Sequence, residues 1–332
     1  MPIADQPCRG LIFALALPSV GEAPRRLQAE EIPALLAAET RPPLWLHFDL
    51  VDTGAQAFLR KIPGLSGPAL AALLEGDDHI HLEEAEGILF GAIPDFHADA
   101  PGHEPDTLGM LHLAMRPGLL VTARRHPLRA VRLYAEAAPD GRLPPAGSVQ
   151  ALLGALLRLI ADDLMRGRQA LATQLTHIED ALLRPRHIPD RGQLTSIRRD
   201  VLRLTRRFTP IAEALDEMSD DPPPWLADAS GFWREARRLC QARSALESLQ
   251  DRARVAQDGH ATRVAEETNR RLFMLSVLSA AMLPASVVTG IFGMNVGGLP
   301  GVDQPWGIWL ALILVGLSIG GVLAVLRFFR LL

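Results

Sequence analysis

The sequence predicts an α+β chain in three parts. A mixed α/β cytoplasmic domain occupies 1–145, a long helical hairpin and stalk helix occupy 146–271, and two transmembrane helices occupy 272–332. Three observations predict this. Short aliphatic runs separated by turn residues fill the first 145 positions. After Pro139–Pro145 the apolar spacing becomes 3–4 and stays there. Two long runs without a charged residue close the chain.

In chain order, strands are expected at Leu11–Leu17, Leu44–Phe48, His79–Leu82, Ile88–Ile93, Leu108–Met115 and Leu119–Ala123, the last two joined as a hairpin through Pro117-Gly118. Leu11–Leu17 reads as a strand rather than a signal-peptide core, because Asp5 offsets Arg9 and leaves no positive leader. Helices are expected at Glu30–Glu39, from Thr53 with Gln56 three residues on as a capping box, and around Ala69–Leu74. Leu153, Leu156, Ile160, Leu164, Leu171, Leu175, Ile178 and Leu182 then stripe one long helix. Pro185 and Pro189 break it. Leu194, Ile197, Val201, Leu204, Phe208, Ile211 and Leu215 form the seam of a second helix, and the two pair most simply as an antiparallel hairpin. Pro222–Pro224 ends the hairpin. No proline follows Phe232 until Pro284, so one helix of about 60 residues and roughly 90 Å runs from the cytoplasm into the membrane. Its lower half is polar except for Leu239, Leu246 and Leu249. Such a helix expects neighbours, which self-association around an axis supplies.

Leu272–Asn295 and Gln304–Leu326 contain no charged residue. Spans at 272–292 and 306–326, each of about 20 residues, match the roughly 30 Å core of a bilayer. Two buried core helices are the alternative, but core helices are rarely apolar on all sides for so long. Arg270 and Arg271 precede the first span, Arg327 and Arg330 follow the second, and the loop 293–305 has only Asp303. Both termini are therefore expected inside and the loop outside. Trp306 and Trp309 suit the outer interface, and Gly316 with Gly320 suit close packing against another helix.

Composition narrows the function. The 332 residues are 48% hydrophobic and 22% charged, with a net charge of −4, which argues against a nucleic-acid partner. Cys8 and Cys240 stand alone, excluding a disulfide scaffold. No phosphate-binding loop, nucleophile elbow or H-E-x-x-H occurs, so no enzyme activity and no cofactor are expected.

Two spans cannot enclose an aqueous path, so a transporter of this design must oligomerise; otherwise the spans merely anchor a cytoplasmic domain. The first span carries Ser276, Ser279, Ser286 and Thr289, which an anchor does not need. Leu272, Leu275, Ser279, Leu283, Ser286, Gly290 and Gly293 fall at 3–4 spacing on one face, ending at Gly293-Met294-Asn295. For the leucines, ordinary helix packing is the alternative reading.

Gly293-Met294-Asn295, at the outer end of the first of two C-terminal spans, resembles the GMN signature of CorA-type divalent-cation transporters. Val296-Gly-Gly-Leu-Pro-Gly301 is similar to the zinc-transporting ZntB branch. The layout of the whole chain is similar too. The resemblance implies a homopentameric funnel in a bacterial inner membrane. Asn295 would be the outer ring receiving a hydrated ion; Leu283 beside Pro284, and Leu272 with Leu275, the constrictions; Ser279 and Ser286 intervening polar rings; Asn269 and Asp258 inward-facing stalk groups.

The transported ion expected on this resemblance is Zn²⁺. No Asp, Glu, His or Cys lies between Leu272 and Val302, so a bare zinc ion finds no ligand there, and neutral oxygens must hold its water shell instead. Any proton coupling must use groups outside the span, for which Asp258, His260, Glu266 and Glu267 are the candidates. A magnesium or cobalt channel of the same type is the nearest alternative, and an anchored sensor or scaffold without a pore is the alternative from another class. Two further clusters are metal candidates. His79 and His81 with Glu83 are a zinc pair or ordinary strand residues, and His97 and His103 in Asp95–Asp106 attract cations or belong to a solvated loop.

Overall fold

In the computed structural model, which describes residues 8–17, 22–65, 67–74, 80–99, 107–184, 190–294 and 304–328, the first part of the chain builds one sheet. Its strands are β1 (Leu11–Ala16), β2 (Arg25–Arg26), β3 (Leu44–Asp49), β4 (His81–Ala85), β5 (Ile88–Phe96), β6 (Leu108–Arg116) and β7 (Leu119–Arg124). Helices α1 (Glu31–Ala37), α2 (Thr53–Leu59), α3 (Pro68–Leu74) and α4 (Arg129–Ala137) accompany them. The spatial order is β2-β1-β3-β7-β6-β5-β4, and only β3 and β7 run parallel, in the register Leu44↔Leu119 to Asp49↔Arg124.

Alternation along the strands gives the sheet two apolar faces. Ala14, Leu44, Leu46 and Phe48 pack with Ile32, Phe58 and Leu73 of α1–α3. Phe13, Leu15 and Trp45 point the other way, toward Val131 and Tyr134 of α4. β5 is buried at every position, the signature of a strand covered on both sides. At Gly91 in β5 a Cβ would stand 2.1 Å from the His81 carbonyl oxygen, so only glycine lets β4 approach. Gly118 (φ +75°) closes the β6–β7 hairpin after Pro117.

The six expected strands and three early helices are present, with corrections. β4 starts at His81, and His79 lies outside the described residues. The cap of α2 is Asp52, whose carboxylate accepts from Gly54 N at 2.7 Å, so Thr53 is the first helical residue rather than the cap. Asp95 is in β5 and fully buried, not in a solvated loop. Its Oδ2 accepts from Ala130 N at 3.0 Å, supplying the cap that Leu128 cannot give α4. The sequence reading also lacked β2 and α4.

Beyond α4, Tyr134 OH ties the proline-rich stretch down by accepting from Ala146 N at 3.0 Å. Helices α5 (Val149–Leu183), α6 (Arg191–Asp220), α7 (Pro224–Ala227), α8 (Ser230–Phe292) and α9 (Gly307–Phe328) follow. Cross-links fix their directions. Asp162 pairs with Arg238 at 2.9 Å and Glu179 with Arg252 at 2.7 Å, so α5 and α8 run parallel. Cys240 Sγ donates to Ala212 O at 3.4 Å while Arg198 meets Gln257, so α6 runs against α8 and hence against α5. The expected seam of α6, from Leu194 to Leu215, is buried throughout.

One expectation about α8 is corrected. Phe232, Ala236, Leu239, Ala242, Leu246, Leu249, Ala253 and Ala256 form a buried 3–4 seam against α5 and α6. The lower half of the helix thus has neighbours inside its own chain. Alanines carry half of that seam, which is why it reads as polar.

By packing the chain forms two units, Met1–Arg184 with Pro189–Gln257, and Pro185–Ile188 with Asp258–Leu332. In the first, one apolar cluster runs from the sheet face through α4, α5 and α6 into α8. In the second, α8 and α9 each contain a stretch long and apolar enough to cross a membrane, and neither stretch is buried.

Candidate functional site

Beyond Gln257, α8 buries only His260 among its described residues. Half-covered positions nevertheless recur in its apolar part at Val277, Ala281, Pro284, Ala285, Val288 and Phe292. On α9 they recur at Ala311, Val315, Ser318, Ile319, Val322 and Leu326. Both sets follow the helical period, the pattern of two helices covering one another along one stripe each.

The candidate face of α8 is the other one. Leu272 (57% exposed), Leu275 (60%) and Leu283 (67%) are open, and so are Ser279, Ser286, Gly290 and Gly293. At about 100° per residue this face is centred roughly 170° from the half-covered stripe. Packing within the chain therefore does not explain these leucines. The same holds on α9 for Gly316 and Gly320, where an added Cβ would meet nothing within 4 Å.

Local hydrogen bonding decides what the hydroxyls offer. Ser276 Oγ donates to Leu272 O at 2.9 Å, Ser286 Oγ to Met282 O at 2.9 Å and Thr289 Oγ1 to Ala285 O at 3.0 Å. Each of these three spends its proton on the preceding turn, which spares an apolar surrounding an unsatisfied donor there. The oxygen lone pairs of Ser286 remain on the open face. At the end of α8, Gly293 N donates to Thr289 O at 2.8 Å, and a Cβ at Gly293 would press on that same oxygen at 3.1 Å. Met294 is 53% exposed. Asn295 lies outside the described residues.

The stalk candidates separate into different environments. Glu267 pairs with Arg271 at 2.5 Å and Glu266 lies 3.9 Å from Arg263, each one helical turn away. Asp258 and Asn269 are exposed. His260 is only 8% exposed, continuing by spacing the buried seam of the lower helix. The structure therefore does not gather these residues into one cluster.

Of the histidine candidates, His81 and His97 are described. Among the described residues no group of three or more His, Cys, Asp and Glu could hold a metal. His81 is half-buried in the edge strand β4, and His79 and His103 lie outside the described residues. His97 has a neighbour the sequence reading missed: His126, with ring centroids 5.2 Å apart. Burial first, and then the His126 charge, lower the pKa of His97. The nearby Asp99 is committed to Arg132 at 2.8 Å. His47 was also missed. Placed on the α4 side of the sheet by β3, it is 1% exposed, with its pKa lowered to about 3 by burial and then by the Arg124 charge. Strand alternation alone puts it beside Trp45 on that face, but nothing in its sequence neighbourhood distinguishes it from a core residue.

These features define a class: an α/β domain continued by a long helix into two apolar C-terminal helices, with a face of leucine, serine and glycine left open on the first. A family model described as "CorA-like Mg2+ transporter protein" matches residues 43–327, and the chain belongs to that family. It is 33% identical to the divalent cation transporter CmaX of Pseudomonas aeruginosa, over 93% of this chain and 92% of that protein. Identity to the zinc transport protein ZntB of Pectobacterium atrosepticum is 27%, over 84% and 85%. The solved full-length CmaX structure superposes with a TM-score of 0.78 at 29% identity, covering 98% of this chain and 99% of that one. The CorA magnesium transporter of Methanocaldococcus jannaschii superposes at 0.74 with 18% identity, covering 95% and 98%, which bears on the fold alone.

Proposed function

We propose that this chain carries divalent cations, zinc among them, across a bacterial inner membrane as a homopentamer, through a pore lined by the open face of α8. The observation that carries the reading is the position of that face, on the far side of α8 from its half-covered stripe. Copies of α8 around an axis bring those faces together, with leucine rings as constrictions that resist wetting and serine oxygens between them. Asn295, with Gly293 and Met294, closes the outer end. Membership of a divalent-cation transporter family and the kinship with CmaX and ZntB support the cargo class.

The membrane potential supplies the drive, about 2.3 kcal/mol per charge per 100 mV and twice that for a divalent ion. The ion crosses with its water shell, because the open face offers neutral oxygen and no nitrogen or thiolate ligand. The spans are 272–292 and 306–326 with both termini inside, and Asp258, His260, Glu266 and Glu267 are the groups available for coupling to protons. A magnesium or cobalt channel is the second reading, favoured by the wording of the matching family model.

The test is uptake into liposomes of Zn²⁺ and Mg²⁺ at matched free concentration, with and without a pH gradient. Zinc flux above magnesium flux is expected. Faster magnesium flux, indifferent to the gradient, selects the second reading. No flux of either ion from a correctly assembled protein leaves an anchored domain without a pore.

A further inference from the structure

A cavity of about 500 Å³ opens on the α4 side of the sheet, where the parallel strands β3 and β7 end. This volume is within the range of small-molecule sites. Its lining holds four guanidiniums, Arg26, Arg124, Arg132 and Arg142, against two carboxylates, Glu136 and Asp140. Two of the arginines are already committed: Arg132 to Asp99 at 2.8 Å and to Ala98 O, and Arg142 to Asp140 at 2.9 Å. Arg26 and Arg124 donate no side-chain hydrogen bond among the described residues. Burial lowers the pKa of Arg124 and outweighs the opposing charges of Asp49 and Asp99, so a further anion alongside would offset the remainder.

The wall of the cavity supplies a second, independent observation. His47 lines it at 1% exposure, and its Nε2 is buried with no hydrogen-bond partner. The other ring nitrogen is engaged in a buried network. Trp45 Nε1 donates to Thr122 Oγ1 at 2.8 Å, and Thr122 Oγ1 lies 2.8 Å from His47 Nδ1 but 3.4 Å from Leu46 O. The hydroxyl has one proton for Leu46 O or His47 Nδ1, so His47 Nδ1 either donates to Thr122 Oγ1 or accepts from it, and Nε2 is an acceptor or a donor accordingly. A buried ring nitrogen without a partner is costly, and it asks for a polar ligand. Phe13, stacked on the His47 ring with centroids 5.0 Å apart, and Leu128 with Val131 give the site an apolar side.

We propose that this cavity binds a small oxyanion, a phosphate- or carboxylate-bearing molecule, held by Arg26 and Arg124, with the unpartnered His47 Nε2 in the wall as a further polar contact. Guanidiniums match the planar, multiply accepting geometry of such groups, and the two whose N–H groups make no side-chain hydrogen bond among the described residues supply the fork. Nothing in this requires the membrane helices, since every residue of the site belongs to the first packing unit.

The test uses the full chain in detergent, in metal-free buffer, titrated with sodium pyrophosphate and separately with sodium citrate, with sodium chloride at matched ionic strength as the control. Saturable thermal stabilisation by one or both oxyanions, and not by chloride, is expected; the arm that responds names the ligand's acid. Arg124→Gln and Arg26→Gln should each weaken binding by about tenfold. Arg207→Gln, on the outer face of α6, should leave it unchanged. Arg26 is exposed on the two-residue edge strand β2, so its variant decides the matter if Arg124→Gln fails to fold. Stabilisation no greater than chloride gives, or equal binding by Arg26→Gln and wild type, or equal weakening by Arg207→Gln, overturns the proposal.

Discussion

Asp95 is a carboxyl with no exposure, and burial, reinforced by the charge of Asp163, pushes its pKa up from 3.8 to about 7. The folded state therefore holds a proton that the unfolded chain has lost across the window from about pH 4 to about pH 7. Stability from this group is highest at the acid end and falls as pH rises through the window. At about 1.4 kcal/mol per pH unit the whole effect is roughly 4 kcal/mol. His47 acts oppositely: its folded pKa of about 3 lies below the ordinary 6.5, so it costs stability as pH falls from 6.5. The two nearly cancel in the wild type, and the informative quantity is a difference. Asp95→Asn keeps an acceptor for Ala130 N and cannot ionise. The stability gap between variant and wild type should grow in the variant's favour by roughly 4 kcal/mol from pH 4 to pH 7.5, on the order of 10 °C in melting temperature for a unit of this size. Thermal melting of both proteins at five pH values measures it. A gap that stays constant with pH would refute the buried, neutral carboxyl, whatever its absolute size.

Three further outcomes bear on the proposed pore. Leu283→Ser should make vesicles leakier, because a ring of hydroxyls holds water where leucines exclude it; unchanged conductance and uptake would place Leu283 against a neighbouring helix. Asn295→Ala should abolish or strongly reduce metal flux while the oligomer still assembles, and normal flux would leave Gly293 and Met294 as packing residues. A membrane-impermeant thiol reagent should label a cysteine placed at Gly298 in intact cells and not one at Gly147; the reverse pattern inverts the topology.

Much of this fold was legible because its signals are periodic. The α6 seam is seven large apolar residues at 3–4 spacing, and each is buried. The seam of α8 was legible only at its leucines, because Ala236, Ala242, Ala253 and Ala256 carry as much of the contact and alanine marks no face. Asp95 was misread for a related reason. Four acidic residues and two histidines in Asp95–Asp106 read as solvent-exposed, whereas Asp95 serves the free N–H groups at the start of α4, a helix absent from the sequence reading. Of the candidate site, spacing gave the face on α8. That it lies opposite the half-covered stripe needed coordinates, since both faces of an all-apolar helix look alike in sequence. His47 and the arginines around it come from β2, β3, β7 and α4 and from the residues after α4, a distance in sequence that no local motif spans.

In the proposed pore, the choice between zinc and magnesium would turn on charge at the outer mouth rather than on ligand affinity. Zinc outranks magnesium at nitrogen and sulfur sites, but the open face has neither, so the ranking has nothing to act on. What remains is how strongly each end of the pore gathers cations. Val296–Gly301 contains no acidic residue, and Asp303 is the one carboxylate between the spans. A magnesium channel gains from carboxylates at this point, because a strongly hydrated cation is collected by field rather than by coordination. Gly298→Glu would add one charge per chain, and hence five around the mouth of a pentamer. Magnesium uptake into liposomes should rise several-fold at low ionic strength, and the gain should shrink toward one at 0.5 M salt, where screening reaches only about 4 Å. A gain that persists at high salt would mean that the new carboxylate coordinates the ion directly. No gain at any salt would mean that the mouth does not limit magnesium entry, and selectivity would then have to be sought along the leucine and serine rings of α8.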